Sequence, residues 1–281
     1  MTRVALLQMN GGTEPAANAR VLVNAVRESK ARGAAMLFTP EMSNLLDRDR
    51  ERAAAAIMGE EQDTALAAVR EAAAEHAIWV HLGSAAVRRD DGKLANRGFL
   101  IDDAGAVRAR YDKLHLFDVD LPTGERWRES AAYAPGGSAV VADTPAGRLG
   151  LSICYDLRFP ALYQALSGAG ATLLAVPAAF TRPTGAAHWH ALLRARAIEN
   201  AAFVIAAAHA GEHEDGRATY GHSLVVDPWG EVLLDMGEEV GVGVVDLDPE
   251  RIAEARGRVP VIAHRRPIPP VAVAVAVAVA P

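Results

Sequence analysis

The chain has 281 residues, of which 51% are hydrophobic and 23% charged, and its formal net charge at pH 7 is -6. This length allows one large domain with a buried core, and the negative charge argues against a nucleic-acid-binding face. The single cysteine excludes an internal disulfide and any zinc or iron–sulfur site that needs several thiolates. The first residues lack the apolar stretch of a signal peptide, and no apolar run approaches the ~20 residues of a membrane span, so we expect a cytoplasmic protein.

Strand and helix patterns alternate along the first half of the chain. In chain order the predicted elements are a strand at 4–9, a helix at 17–32, a strand at 35–39, a helix at about 60–75, and strands at 77–87, 97–102 and 106–110. Pro40 ends the second strand, because the residue before a proline is kept out of helical geometry. The last two strands flank the sequence DDAG, which predicts a hairpin.

The second half repeats this alternation. Its predicted elements are strands near 139–143 and 148–153, a helix near 158–168, a strand at 172–176, a helix at 186–200, and strands at 202–208, 221–227 and 231–235. Hairpins and parallel crossovers together predict an α/β protein with two mixed sheets and helices outside them. The C-terminal tail alternates Val and Ala. It is interpreted either as disordered or as an extended arm that packs on a partner subunit.

Cys154 lies at the end of an apolar run, where the chain turns through YDLRFP into a helical pattern. One interpretation is a small apolar residue in the core. The other is a nucleophile at the tip of a strand, where free backbone N–H groups of the turn stabilise a thiolate or an oxyanion. A nucleophilic thiol also needs a base or a cation nearby.

Histidines do not supply an obvious base, since none of the nine has a convincing partner in the sequence. His188 and His190 lie two apart on a predicted helix and point roughly 200° away from each other, so no metal site is expected there. Glu41 directly follows a predicted strand at its carboxyl end, where α/β sheets build their sites. Lys113 follows another strand, and Glu129 lies in RWRES. Taken singly, each of these charges is better explained as a solvated surface residue.

Taken together, the flanking segments are specific. FTPEMSN contains Glu41, YDKLHLFDVDLP contains Lys113, and GLSICYDLRFPALY contains Cys154. In this order the sequence resembles the nitrilase superfamily of carbon–nitrogen hydrolases, and within it the Nit branch, whose members include amidases of deaminated glutathione and ω-amidases. The resemblance covers one domain at 1–266 and leaves the Val/Ala tail at 267–281 outside it. It implies a four-layer α-β-β-α sandwich, with two mixed sheets flanked by helices, that pairs into dimers or larger homo-oligomers.

The resemblance also implies roles for the candidate residues. Cys154 would be the nucleophile, Glu41 the general base, and Lys113 the cation that stabilises the tetrahedral intermediate. The backbone N–H of Tyr155 would complete the oxyanion hole, and Glu129 would help to position the substrate or the leaving amine. We further expect the Lys113 ammonium to lower the pKa of the sulfur. No metal or organic cofactor is expected.

Arg158 lies four residues after Cys154 and could grip a substrate carboxylate with its planar fork, or form a surface ion pair. Phe180 and Thr184 follow the next strand and open toward the same rim. In Nit proteins the matching positions line the pocket for an α-keto-acid group, so the resemblance implies an amidase that acts on the terminal amide of an α-keto acid. The segments CYDLRFP and AAFTRPTG resemble amidases of deaminated glutathione more than ω-amidases.

Several alternatives stay open at this stage. The same residues would suit an ω-amidase acting on α-ketoglutaramate, or a hydrolase of N-carbamoyl or aliphatic amides. A binding protein that keeps the fold without activity is a different class of alternative. In each enzymatic case the partner is a small amide, with no nucleic acid and no membrane.

Overall fold

The structure is a computed structural model that describes residues 1–120, 124 and 126–273. Its helices are α1 (Pro15–Ala31), α2 (Arg50–Ala56), α3 (Thr64–His76), α4 (Pro160–Gly168), α5 (Arg182–Asn200) and α6 (Glu250–Arg258). The strands of the first half are β1 (Thr2–Gln8), β2 (Met36–Phe38), β3 (Trp79–Arg88), β4 (Leu94–Ile101), β5 (Val107–Asp112), β6 (Asp118–Asp120) and β7 (Arg126–Arg128). Those of the second half are β8 (Val141–Thr144), β9 (Gly147–Gly150), β10 (Leu173–Ala175), β11 (Phe203–Ala206), β12 (Ala210–Glu212), β13 (Ala218–Tyr220), β14 (Leu224–Val226), β15 (Val232–Asp235) and β16 (Gly241–Leu247).

Two six-stranded sheets form the centre of the fold. Their strand orders are β16-β1-β2-β3-β4-β5 and β15-β14-β11-β10-β9-β8. In the first sheet β1, β2 and β3 run parallel, and β16, β4 and β5 are antiparallel to their neighbours. In the second, β9, β10 and β11 run parallel, with antiparallel strands at both edges. Both sheets are therefore mixed, as the sequence predicts.

The alternation of side chains along β1 defines the layers. Val4 and Leu6 pack into a core that includes Leu149 and Ile205 of the second sheet. The intervening residues of β1 point the other way, into a core shared with α1 and α3. Tyr163 of α4 belongs to the core of the second sheet, as does the α5 tryptophan. The layers are helices, sheet, sheet and helices, so the predicted α-β-β-α sandwich is confirmed.

Local signals explain where several helices begin. Pro15 opens α1 and Pro160 opens α4, positions where the missing proline N–H is not needed. At the start of α3 the Asp63 carboxylate accepts a hydrogen bond of 2.7 Å from the backbone N–H of Leu66. Because α4 and α5 begin just beyond strands of the second sheet, the residues that connect them gather at one edge of that sheet.

Five features lie outside the elements predicted from sequence: α2, the pair β6–β7, the pair β12–β13, β16 and α6. Strand β16 pairs along all of β1, from Thr2 opposite Leu247 to Gln8 opposite Gly241. Strand β16 contains two glycines and is mostly half-buried, so its sequence lacks the buried apolar run by which other strands were predicted. In α6 only Ala255 is buried, and the short helix is too polar overall to be recognised as one that packs on the core.

The end of the predicted domain is tied to the second sheet's helices. The Arg265 guanidinium donates hydrogen bonds to the Gln164 and Glu199 carbonyls, the Ser167 hydroxyl and the Asn200 side-chain oxygen. Residues 267–273 are exposed and form no helix or strand. The remainder of the predicted tail, 274–281, lies outside the described residues. None of the helices in the described part of the chain is long and apolar enough to cross a membrane.

Candidate active site

Three of the predicted catalytic residues lie at strand ends that meet at one edge of the two sheets. Glu41 follows β2, Lys113 follows β5, and Cys154 opens a short 3-10 turn beyond β9. The Lys113 Nζ lies 2.8 Å from Glu41 Oε1 and 2.9 Å from Glu129 Oε2. All four side chains line one cavity of about 570 Å³, a size typical of small-molecule sites.

The turn that carries Cys154 is held in an unusual conformation. Cys154 has φ 49, in the left-handed region that non-glycine residues rarely adopt. The Asp156 carboxylate fixes the turn by accepting hydrogen bonds from the Ile153 N–H at 2.9 Å and the Tyr111 hydroxyl at 2.7 Å. The Cys154 N–H donates to the Pro177 carbonyl at 2.9 Å.

The next N–H of this turn is available to a ligand. The Tyr155 backbone N–H donates to no acceptor among the described residues. It follows directly on the nucleophile candidate, so it is suited to a developing oxyanion.

The Glu41 carboxylate is nearly buried and fully engaged. Oε1 accepts hydrogen bonds from Lys113 Nζ at 2.8 Å and Asn96 Nδ2 at 2.9 Å, and Oε2 accepts one from the Ala179 N–H at 3.0 Å. Burial acts to raise the pKa of Glu41, but the Lys113 charge and hydrogen bonds from Cys154, Lys113 and Asn96 outweigh it and hold the pKa below its ordinary value. At neutral pH Glu41 is therefore a carboxylate able to accept a proton.

Lys113 is 2% exposed and bridges the two glutamates. Burial opposes its charge, but the Glu129 and Glu41 carboxylates more than compensate, and the pKa of Lys113 stands well above its ordinary value. Glu129 is itself oriented by the Phe117 N–H, which donates to Oε2 at 2.7 Å. The site therefore contains a permanent, immobile ammonium.

As expected from the sequence, the Lys113 charge acts to lower the pKa of Cys154, but other effects determine the resting state of the thiol. Burial raises the pKa of Cys154, and the nearby Glu41 charge raises it further. The Lys113 charge acts in the opposite direction but is outweighed, so the pKa stands well above its ordinary value. The expected direction of the Lys113 effect is therefore confirmed, but burial and Glu41 outweigh it and keep the resting thiol protonated.

Asn96 is a site residue that the sequence did not single out. Its Nδ2 donates to Glu41 Oε1 at 2.9 Å and to Glu129 Oε1 at 3.1 Å, so one amide holds both carboxylates. Asn96 lies in the middle of β4 and is buried. A buried asparagine inside an apolar strand is uncommon, and this was the available signal.

A second unrecognised residue, His209, supports the loop that carries Glu41. Its Nε2 lies 2.6 Å from the Glu41 carbonyl oxygen, and its Nδ1 lies 3.2 Å from the Gly11 N–H. Burial lowers the pKa of His209 to about 4, so the ring is neutral. Nδ1 also lies 3.1 Å from the Met9 carbonyl oxygen, so the ring contacts the backbone at Glu41, Gly11 and Met9.

Gly83 allows the same loop to pack closely on β3. A Cβ at this position would lie 2.0 Å from the Thr39 carbonyl oxygen and 2.5 Å from that of Pro40. Real Cβ atoms do not approach backbone oxygens so closely, so any side chain here would push the loop that ends at Glu41.

The predicted substrate-binding residues lie on the wall of the same cavity. The Arg158 guanidinium carbon is 5.4 Å from the centroid of the Phe180 ring, and its Nη1 is 3.3 Å from His188 Nδ1. The Thr184 hydroxyl lies 2.8 Å from that of Thr181. Within the described part of the chain, Arg158 has no carboxylate partner, so the surface ion pair considered from sequence is not formed there.

One group of described residues has the composition of a metal site but lies off the cavity lining. Ligand atoms of His190, His222 and Asp235 lie within 4.8 Å of one another. Hydrogen bonds account for this grouping, since Asp235 lies 3.0 Å from His190 Nε2 and 2.9 Å from His222 Nδ1. His188 and His190 contact different partners, as the helical geometry predicts.

Comparisons with known proteins identify the family of this chain. The family model for carbon-nitrogen hydrolases matches residues 3–257. Deaminated glutathione amidase from Yersinia enterocolitica is 45% identical over 201 residues, which cover 70% of this chain and 70% of that protein. The human protein of the same name is 40% identical over 270 residues, covering 94% and 82%. The crystal structure of the Caenorhabditis elegans NitFhit protein has a TM-score of 0.87 and 38% identity, over 94% of this chain and 65% of that longer one. The chain therefore belongs to the carbon-nitrogen hydrolase family.

Proposed function

We propose that this protein is an amidase that hydrolyses deaminated glutathione through a thioester on Cys154. The observation that carries the proposal is the buried Lys113 ammonium, bound by Glu41 and Glu129 in one cavity with the only cysteine. The name shared by the Yersinia and human relatives supports the substrate. The products would be the free α-keto dicarboxylic acid and the dipeptide that formed the amide.

The first step forms the carbon–sulfur bond. As the Cys154 sulfur attacks the amide carbon, its proton passes to the Glu41 carboxylate, because bonding to carbon makes the thiol strongly acidic. The carbonyl electrons move onto oxygen, and the oxyanion is stabilised by the Lys113 ammonium and the Tyr155 N–H. One preorganised donor of this kind contributes about 3–4 kcal/mol, or roughly 10²–10³ in rate.

The second step breaks the carbon–nitrogen bond. The protonated Glu41 gives its proton to the amide nitrogen, the amine leaves, and the acyl group remains on sulfur. A water molecule then attacks the thioester while Glu41 accepts its proton. As the carbon–sulfur bond breaks, Glu41 returns that proton to the sulfur and the acid is released. Lys113 keeps its charge throughout, in line with its raised pKa.

Arg158 is proposed to bind the carboxylate of the α-keto acid. Its guanidinium lines the cavity and, among the described residues, has no carboxylate of its own. A bidentate charge-assisted pair would orient the acyl chain toward Cys154. The Arg158 guanidinium lies over the Phe180 ring, which supports it, and Thr184 contributes a hydroxyl to the same wall.

The test compares two substrates, deaminated glutathione and α-ketoglutaramate, under the same conditions. A kcat/KM ratio above about 10² in favour of deaminated glutathione, about 2.7 kcal/mol of transition-state binding, is the expected result. The opposite ratio would identify an ω-amidase. If the enzyme hydrolyses neither substrate but does hydrolyse carbamoyl or simple amides, the proposed substrate is wrong and the proposed hydrolase mechanism still stands.

We also propose that the protein acts in the cytoplasm as a homodimer or larger homo-oligomer. The free thiol of Cys154 is consistent with a reducing compartment. Self-association is what the family resemblance implies, and light scattering on the purified protein measures it. A mass equal to the single-chain value of 29.7 kDa would refute it.

A further inference from the structure

Seven arginine side chains lie on the wall of the cavity. The arginines that line it are Arg48, Arg50, Arg88, Arg126, Arg128, Arg158 and Arg217. Most have partners within the protein. Asp120 pairs with two of them and Asp215 with Arg217, and two others donate to backbone carbonyls.

Two of these arginines differ from the rest. In the described part of the structure, the guanidinium groups of Arg48 and Arg158 donate to no oxygen atom. Each instead lies on an aromatic ring, Arg158 on Phe180 and Arg48 on Trp127, at 5.4 and 5.3 Å from the ring centroid. One substrate carboxylate accounts for Arg158, and Arg48 is left without a function.

Trp127 marks the second position. Its ring is contacted by Arg48 and also by Arg217, whose guanidinium carbon lies 5.1 Å from the centroid. The indole Nε1 of Trp127 is buried and donates to no described residue. A buried donor without an acceptor is rare in folded proteins, so this indole marks a place on the wall where polar capacity is left unused by the described residues.

Asp215 fixes this group in place. Its Oδ2 accepts a hydrogen bond of 2.6 Å from Arg217 Nε and one of 2.9 Å from the Arg48 backbone N–H. The carboxylate thus holds the Arg217 side chain and the Arg48 main chain, and leaves the Arg48 guanidinium exposed at the cavity wall.

We infer that Arg48, Trp127 and Arg217 form a second carboxylate-binding subsite, which receives the terminal carboxylate of the leaving group. We call it the Trp127 subsite. The inference rests on the proposed function, because it assigns the acyl group and the leaving group of the proposed amide substrate to two different positions on the cavity wall. The acyl end would lie at Arg158, and the leaving end would lie at the Trp127 subsite.

The aromatic wall of the cavity connects this subsite to the reacting centre. The Phe117 ring lies 5.1 Å from the Tyr155 ring and 6.2 Å from the Trp127 ring, measured between centroids. In deaminated glutathione the leaving group is a dipeptide, whose carboxylate can extend about 7 Å beyond the scissile nitrogen. In α-ketoglutaramate the leaving group is ammonia, which cannot reach the subsite. The Trp127 subsite would therefore select amides whose leaving group ends in a carboxylate.

The experiment is a cycle in which either the arginine or the carboxylate is removed. Wild-type protein and Arg48→Gln are compared on deaminated glutathione and on its C-terminal carboxamide. We expect the wild type to lose about tenfold in kcat/KM on the carboxamide, as for a partly exposed charge-assisted hydrogen bond. Arg48→Gln should lose about as much on the acid and should no longer distinguish the two substrates. Its activity on α-ketoglutaramate should be unchanged.

Arg126→Gln is the matched control, since it removes one positive charge from the same wall. It should alter the acid-to-carboxamide ratio less than about twofold if the effect of Arg48 is a direct contact rather than general attraction. An unchanged ratio in Arg48→Gln, or an equal loss on α-ketoglutaramate, would overturn the inference.

Product inhibition separates this inference from the proposed function. Cysteinylglycine is tested as an inhibitor of whichever amide the enzyme hydrolyses, with the wild type and both variants. A Ki that rises about tenfold in Arg48→Gln and not in Arg126→Gln supports the subsite, even if deaminated glutathione proves a poor substrate. Equal Ki values in all three proteins would overturn it.

Discussion

Replacing Asn96 with alanine should shift the acid side of the pH–rate profile upward. The Asn96 amide favours the ionised form of Glu41, with Nδ2 donating at 2.9 Å, and its removal takes that support away. A hydrogen bond to a charged group is worth about 1.5–3 kcal/mol, and one pKa unit corresponds to 1.36 kcal/mol. The pKa of Glu41 should therefore rise by about one to two units.

The sign of the effect follows from the role of Glu41 as the base. In the wild type the pKa of Glu41 is depressed, so kcat/KM is constant above the ordinary carboxyl range near pH 4.3 and falls only below it. In Asn96→Ala the fall should begin about one to two pH units higher. The plateau should decrease as well, since Glu129 loses the same donor.

The assay is kcat/KM measured between pH 4 and 9, with thermal unfolding followed at each pH. Asn24→Ala is a suitable control because Asn24 is exposed and accepts a hydrogen bond from Arg27 away from the site. An acid limb that does not move in a folded Asn96→Ala protein would refute the assignment of that limb to Glu41.

Four further predictions concern the Cys154 thiol, Glu41, the loop that carries Glu41, and the acyl-binding arginine. Because Cys154 is the only cysteine, the ultraviolet absorbance of thiolate, measured as the difference from Cys154→Ala, reports the ionisation of Cys154. This absorbance should be absent at pH 7 and appear only above about pH 9. A thiolate signal at neutral pH would contradict the protonated resting state. Glu41→Gln should lower the pH at which thiolate forms, since the Glu41 charge raises the pKa of Cys154 while Lys113 lowers it. Gly83→Ala should reduce kcat by a factor of about 10² or more, because the added methyl group would displace the loop that carries Glu41. Normal activity with an unchanged melting temperature would show that the loop tolerates the methyl group. Arg158→Ala should raise KM for α-keto acid amides by about tenfold or more, and should leave KM for neutral aliphatic amides nearly unchanged. An equal loss of activity on both classes of substrate would indicate a structural role for Arg158.

The sequence predicts the frame of the site because its main residues follow strands. Glu41 comes directly after a strand ended by a proline, and Cys154 follows an apolar run at a strand-to-helix turn, so their meeting at one sheet edge follows from the alternation of elements. The order of the flanking segments then indicates the family. Strand β16 and helix α6 were not predicted because neither is dominated by buried residues: β16 is mostly half-buried, and α6 buries only Ala255.

The charge state of the site could not be predicted in the same way. A lysine close to a cysteine indicates a depressed thiol pKa, but the outcome depends on burial and on a third charge. Here both burial and Glu41 raise the pKa of Cys154, and only the folded geometry gives their balance. Asn96 and Trp127 were missed for a related reason, since their relevance comes from the atoms they face and not from a motif.

The central claim is that the acyl group is transferred to the sulfur of Cys154. Wild-type protein mixed with deaminated glutathione and quenched in acid within milliseconds to seconds should show, by intact mass and peptide mapping, the α-keto acyl group attached to Cys154. The adduct should form and decay at rates no slower than kcat, and Cys154→Ala should show neither adduct nor amine release while retaining its fold. Turnover by the Cys154→Ala protein, or a competent adduct on another residue, would contradict the account.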